Sequence, residues 1–121
     1  MLEQLPIELI EQAIDCLPVE FSIVDADDTV RYYSHGDKRI FKRTPAVIGR
    51  KVQNCHPPKS VHIVQKILDD FKAGKRDSTE FWINLKGRLI YIRYYAIRDN
   101  LNSYKGTLEV SQDITDIKNK Y

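Results

Sequence analysis

Apolar residues in the N-terminal segment recur at helical spacing. Leu5, Leu9, Ile10, Ala13, Ile14 and Leu17 follow three- and four-residue steps, with Glu8, Glu11, Gln12 and Asp15 between them. Pro6 suits a first turn and Pro18 ends the pattern. A helix with one apolar stripe must lay it against something, here a sheet face or a second subunit. The period then shortens. Phe21-Ser22-Ile23-Val24 and the run from Thr29 to Ser34 read as two strands around Asp25-Ala26-Asp27-Asp28, a turn whose side chains bond their own backbone. Residues 35–58 hold only short apolar patches at Ile40, Phe41, Val47 and Ile48, broken by Pro45, Gly49 and Pro57-Pro58, so short helical turns are expected there. A second helix is predicted from near Ser60, with Val61, Val64, Ile67, Leu68 and Phe71 as its stripe and Gly74 as its stop. Three strands follow, around 78–85, 88–98 and 106–114. Lys86-Gly87 separates the first two, and Asn100 to Ser103 with Gly106 the last two. The fold class is α+β, with antiparallel pairing.

Composition narrows the class. A chain of 121 residues makes one domain by length, able to bury roughly two thirds of its unfolded surface. A net charge of +2 is too small and too dispersed to argue for nucleic acid. The clusters Arg39, Lys42, Arg43 and Lys72, Lys75, Arg76 read as solvated faces. No run approaches the roughly 20 apolar residues of a membrane span, and no signal-peptide pattern is present. Cys16 and Cys55 are too few and too far apart for a disulfide framework, so a cytoplasmic location is expected.

The order of elements, together with three local motifs, resembles the PAS sensory domain. Phe21 to Asp25 looks like its opening strand. Ile48-Gly49-Arg50 followed by His56-Pro57 looks like the stretch before its long helix, and Asp113-Ile114-Thr115 like its close. The run Val52-Gln53-Asn54-Cys55-His56-Pro57-Pro58, with Phe81-Trp82-Ile83, further resembles the PAS subgroup attached to hemerythrin-like domains. The resemblance implies a five-stranded antiparallel sheet with helices over one face, often enclosing a small-molecule pocket. It also implies dimerisation and output through terminal helices. The expected division is an N-terminal cap or dimerisation helix over 1–18, the PAS domain over 19–115, and the start of an output helix or linker over 116–121.

Both faces of the last three strands carry apolar residues, which leaves two registers open. Hydrophobicity alone turns Phe81, Ile83, Leu108 and Val110 toward the helices. Counting back from Asp113-Ile114-Thr115 instead turns Trp82, Ile92, Tyr94, Glu109 and Ser111 inward, with Glu80 and Arg98 at the same pocket. The second register is preferred because it leaves Phe81, Ile83, Tyr91 and Tyr95 as an outer apolar face. Leu5, Leu9, Ile10 and Ile14 of the N-terminal helix, or a second subunit, would cover that face. A homodimer is the expected consequence. Inward carboxylates must be paired or must bind something, and Arg98 with Glu80 or Glu109 is the structural alternative to a ligand contact.

His62 occupies the first turn of the long helix, where the axial histidine of haem-binding PAS sensors lies, so haem is an alternative cofactor. Charged pocket residues and the doubtful facing of His62 speak against it. Cys55-His56 reads as a structural turn. Convergence of Cys55 with His62 or His35 on a metal is not required by spacing. The reactive-cysteine motif of flavin photosensors fails after Asn54-Cys55, so a flavin photoadduct is not expected. No nucleophile motif surrounds His35, His56 or His62, and the scattered glycines form no phosphate loop. The reading is therefore a non-enzymatic sensory module that binds a small molecule or partner and signals to an effector domain elsewhere in its parent protein. A ligand-free dimerisation module is the alternative.

Overall fold

The computed structural model describes residues 1–34 and 39–120. Helix α1 spans Ile7–Asp15, α2 Pro58–Lys72 and α3 Thr115–Lys120. The strands are β1 Glu20–Asp25, β2 Val30–Tyr33, β3 Ser78–Leu85, β4 Arg88–Arg98 and β5 Tyr104–Asp113. They form one antiparallel sheet in the order β2-β1-β5-β4-β3. Among the described residues, 3-10 turns at Pro45–Val47 and Val52–Cys55 fall in the stretch where short helical turns are expected, and another spans Leu2–Gln4. His35 lies outside the described residues, and with it any convergence of His35 and Cys55. Tyr121, the last residue of the expected output segment, does too.

One face of the sheet is packed by α2. Val64 and Leu68 join Val24, Val30 and Val52 in one apolar cluster. Ile67 and Phe71 join Ile90, Ile92 and Tyr94 in a second. The three- and four-residue spacing of these α2 positions gives one stripe broad enough to span both clusters. Phe71 is fully buried, and such a ring contributes several kcal/mol (about 3–5 on truncation).

The β3–β4 hairpin decides the register. Lys86 at φ 50° and Gly87 at φ 80° supply the two left-handed residues of a two-residue turn. That turn closes Leu85 against Arg88, which places Phe81 opposite Ile92, Ile83 opposite Ile90 and Trp82 opposite Tyr91. Directly opposite residues share a face. Phe81 and Ile83 therefore turn toward α2 and pack on the second cluster. The expectation that they form the outer face is corrected. Trp82 and Glu80 turn outward, and the expectation that they face the pocket is corrected too. Trp82 is 53% exposed and stacks on Tyr91, with ring centroids 5.1 Å apart. The inward facing of Ile92, Tyr94, Glu109 and Ser111 follows from the β4–β5 pairing of Ile92 with Ser111 and Tyr94 with Glu109. Leu108 and Val110 lie on the opposite face. The actual register thus combines parts of both expected ones.

Helix α1 covers less than its pattern suggests. None of its residues is buried. Leu5, Ile7, Leu9 and Leu17 are exposed, while Ile10 and Ile14 are half-buried. On the outer face Val110 is buried and Tyr91 half-buried, whereas Tyr95 and Trp82 are exposed. Gly106 pairs with Asp25 and Ile97 where three strands run side by side, and any Cβ there would collide with the Val24 carbonyl oxygen. Only glycine lets β1 close on β5 at this point.

Candidate functional site

A cavity of about 380 Å³ lies between the inner face of β3–β5, the first turns of α2 and the segment around Phe41 and Arg43. Its floor is Phe81, Ile83, Ile92 and Tyr94, with Glu109 beside them. Its roof is Ile63, Val64 and Ser60 from α2, and Cys55, His56 and Pro57 from the preceding turn close one side. Pro57 and Pro58 fix the chain extended and then helical, so α2 starts directly over the sheet. His56 is oriented by its own backbone, with Nδ1 3.0 Å from the Val52 carbonyl oxygen. A carbonyl oxygen only accepts, so Nδ1–H is the donor in this contact.

The wall that carries Phe41 and Arg43 is tied down by a buried ion pair. Arg39 Nε lies 3.1 Å from Glu20 Oε2, and both side chains are under a tenth exposed. Arg39 also donates to the Ser34 carbonyl oxygen at 2.6 Å and to the Phe41 carbonyl oxygen at 3.0 Å, while Phe41 N–H donates to Glu20 Oε1 at 3.1 Å. Glu20 Oε2 receives no hydrogen bond of good geometry, so its link to Arg39 is an off-axis ionic contact. Burial pushes the Glu20 carboxyl up, against the opposing pull of Arg39, and lowers the Arg39 guanidinium despite Glu20. For both partners desolvation outweighs the attraction, as is common for buried pairs.

Tyr94 is buried beside Glu109. Burial, then the Glu109 carboxylate, raises its hydroxyl far above the ordinary tyrosine value, so it stays protonated. No hydrogen bond of standard geometry joins the two side chains, which act on each other as close electrostatic neighbours.

Of the sequence-predicted pocket residues, the structure brings Ile92, Tyr94 and Glu109 to the cavity. Ser111 is on the same face but sealed, 2% exposed. Arg98 sits instead at the end of α2, donating to the Phe71 carbonyl oxygen at 2.6 Å and to Asp77 at 2.8 Å. Its expected pairing with Glu80 or Glu109 is replaced by these contacts. Glu80 accepts from the Tyr91 hydroxyl on the outer face. His62 is exposed on α2 and is not among the cavity residues. The site as built therefore does not fit a haem held by His62: the imidazole points elsewhere, and two charged side chains stand where a porphyrin needs apolar contact. Among the described residues no group of three or more His, Cys, Asp or Glu side chains could hold a metal. Sequence reasoning missed Arg43, Phe41 and His56 as cavity residues. The clue for His56 was its place just before the proline pair that starts α2. Arg43 and Phe41 carried no periodic signal.

The sheet's last strand leads into a compact joint. Asp113 accepts from Arg88 Nε at 2.7 Å, from Thr115 Oγ1 at 2.7 Å and from Thr115 N–H at 3.0 Å. Thr115 Oγ1 in turn accepts from Leu89 N–H at 2.8 Å. Hydrogen bonds from Arg88 and then Thr115 hold the Asp113 carboxyl at about 2. The Asp113-Ile114-Thr115 motif thereby fastens α3 to the β3–β4 hairpin.

The five-stranded antiparallel sheet with one long helix over a cavity on its inner face defines a sensory-domain type of fold. The family model of the PAS domain matches residues 11–115, and the chain belongs to the PAS domain family. Its members are generally sensory and non-catalytic, and no catalytic family is indicated. The chain is similar to the crystal structure of a C-terminal domain from Streptococcus mutans, with 34% identity and a TM-score of 0.88 over 97% of this chain and 91% of that one. It is also similar in fold to the PAS domain of Bordetella pertussis BvgS (20% identity, TM-score 0.68, 94% and 97% covered). A third likeness is to a sensory box sensor histidine kinase from Vibrio cholerae (14% identity, TM-score 0.64, 89% and 90% covered). No curated protein sequence matches the chain. Among the described residues no helix is long and apolar enough to cross a membrane.

Proposed function

We propose that this PAS domain is a cytoplasmic signalling module in which a small molecule occupies the cavity and its presence is relayed through β4 and β5 to α3. The observation that carries the reading is the cavity itself, about 380 Å³ in volume, with Phe41, Phe81, Ile83 and Ile92 as its apolar lining and Arg43 and Glu109 among its polar residues. Small-molecule sites run from roughly 300 to 1,000 Å³, and a domain core otherwise closes such space. The relay uses connectivity. Tyr94 and Glu109 pair across β4 and β5 at the cavity, and both strands end at the joint held by Arg88, Asp113 and Thr115. A ligand with different affinity for two settings of this joint shifts their populations by that difference. Residues 1–18 act as the cap or dimerisation helix, 19–115 as the sensing unit and 116–121 as the start of the output. The histidine-kinase context of the structural relatives supports an effector domain in the parent protein. The hemerythrin-associated subgroup, suggested by Val52 to Pro58 and Phe81 to Ile83, supplies one kind of parent.

The test is mass spectrometry of what denaturation releases from freshly purified protein, repeated on Ile83→Trp, which fills the cavity. The reading expects a released molecule from the parent chain and its loss from the variant. Release of the same molecule from both would count against the cavity.

A second reading has its own observation. The exposed Trp82 and Tyr95 of the outer sheet face, with Leu9 of α1 also exposed, favour a homodimer. Sedimentation at tens of micromolar distinguishes the cases: a monomer under those conditions removes the dimer.

A further inference from the structure

The cavity wall contains two opposite charges that do not pair. Arg43 and Glu109 both line it, yet no ion pair joins them, and among the described residues neither forms one with any other group. Among the described residues Arg43 makes one long hydrogen bond, 3.5 Å from Nη1 to the Lys42 carbonyl oxygen, and it acts only at a distance on Glu20. Glu109 acts electrostatically on Tyr94 and Arg39, and among the described residues no donor makes a hydrogen bond of standard geometry to it. Both side chains are half-buried, so water serves each only in part. Charges on the wall of an apolar cavity attract complementary charge more strongly than they would in bulk water, and leaving them unpaired is costly.

We propose that this cavity takes a hydrophobic zwitterion with the chemistry of an apolar amino acid. Its ammonium meets Glu109 beside the Tyr94 hydroxyl, its carboxylate meets Arg43, and its side chain lies among Phe41, Phe81, Ile83 and Ile92. The proposal rests on the ligand-sensing reading of the same cavity. The competing chemistries each leave one wall charge unmet. A fatty acid satisfies Arg43 but sets a carboxylate near Glu109, an apolar amine satisfies Glu109 but not Arg43, and a neutral hydrocarbon satisfies neither. The volume admits one such molecule and no macromolecular segment.

Calorimetric titration of the full chain with four probes separates these cases: L-phenylalanine, 3-phenylpropanoate (no ammonium), phenethylamine (no carboxylate) and indole (no charge). The expected result is binding of phenylalanine at least about tenfold tighter than of either half-molecule, the equivalent of one additional charge contact. Glu109→Gln should abolish the preference over phenylpropanoate, and Arg43→Gln the preference over phenethylamine. The comparison among probes on the parent chain stands even if a variant fails to fold. Equal binding of phenylpropanoate and phenylalanine overturns the zwitterion, as does a preference that survives both substitutions. Binding of indole without any preference for phenylalanine overturns the zwitterion but keeps the sensing cavity. Failure of all four probes, indole included, overturns both.

Discussion

Replacing Asp113 with Asn tests the joint between the sheet and α3. In the folded chain the carboxyl sits at about 2 against an ordinary 3.8, chiefly through Arg88 and Thr115. The drop from 3.8 to about 2, at about 1.4 kcal/mol per pH unit, sets an upper limit of ~2.5 kcal/mol at neutral pH. The Asp113 side chain is 28% exposed and that of Arg88 47%, so solvent screens the pair and about 1 kcal/mol is the realistic figure. For a domain of this length that is about 3–5 °C in Tm. The folded-state value is lowered, so the stabilisation is fully present above the unfolded value near 4. It disappears as pH falls through about 2. Thermal melts followed by circular dichroism should therefore separate parent and Asp113→Asn by a few degrees at pH 7, with the gap narrowing between pH 4 and pH 2.5. Hydrogen exchange at the amides of Thr115 and Lys118 should rise in the variant, because the acceptor that fixes the start of α3 is weakened. Coincident melts at pH 7, or a gap that persists unchanged into acid, would refute the assignment of this joint to Asp113.

Three further outcomes follow from the packing. Phe71→Ala, at the fully buried centre of the second cluster, should lose about 3–5 kcal/mol in urea unfolding; a loss below about 1 kcal/mol would mean the cluster is not the core. Arg39→Met should cost about 3 kcal/mol or more by stranding Glu20, whereas Arg39→Met with Glu20→Leu should recover much of that. A double variant as unstable as the single one would show that the pair contributes more than its desolvation removes. Trp82, exposed beside Tyr91, should be freely quenched by acrylamide, and its emission should not move when the cavity fills; a blue shift on ligand binding would return it to the inner face.

The element order was legible because each segment's periodicity matched its final environment. The α2 stripe at Val64, Ile67, Leu68 and Phe71 announced both its helical state and its buried face. Asp113-Ile114-Thr115 marked the end of the sheet because Thr115 bonds back to the Asp113 carboxylate two residues away, although its bonds to Arg88 and Leu89 come from across the sheet. Even the orientation of β3 was latent in the chain. A two-residue Lys86-Gly87 turn forces Phe81 opposite Ile92, and applying that constraint would have kept Trp82 off the inner face. Hydrophobicity could not do so, since both faces of β3 to β5 carry large apolar groups. What covers the outer sheet could not be read from α1 either, because a greasy stripe states a need for burial without naming the surface that meets it.

The cavity is where local information ends. Phe41 and Arg43 come from a stretch with no period, and they reach the site because Glu20, some twenty residues earlier on β1, holds Arg39 and the Phe41 amide. Glu109 reaches it because β5 pairs with β4 in a register that turns it beside Tyr94. The sequence by itself determined which segments became helix and strand, since that depends on spacing, turn residues and caps within a few positions. Only the tertiary structure decided that an arginine and a glutamate 66 positions apart (residues 43 and 109) face one apolar cavity without pairing, because that depends on the register and on long-range contacts no local pattern encodes.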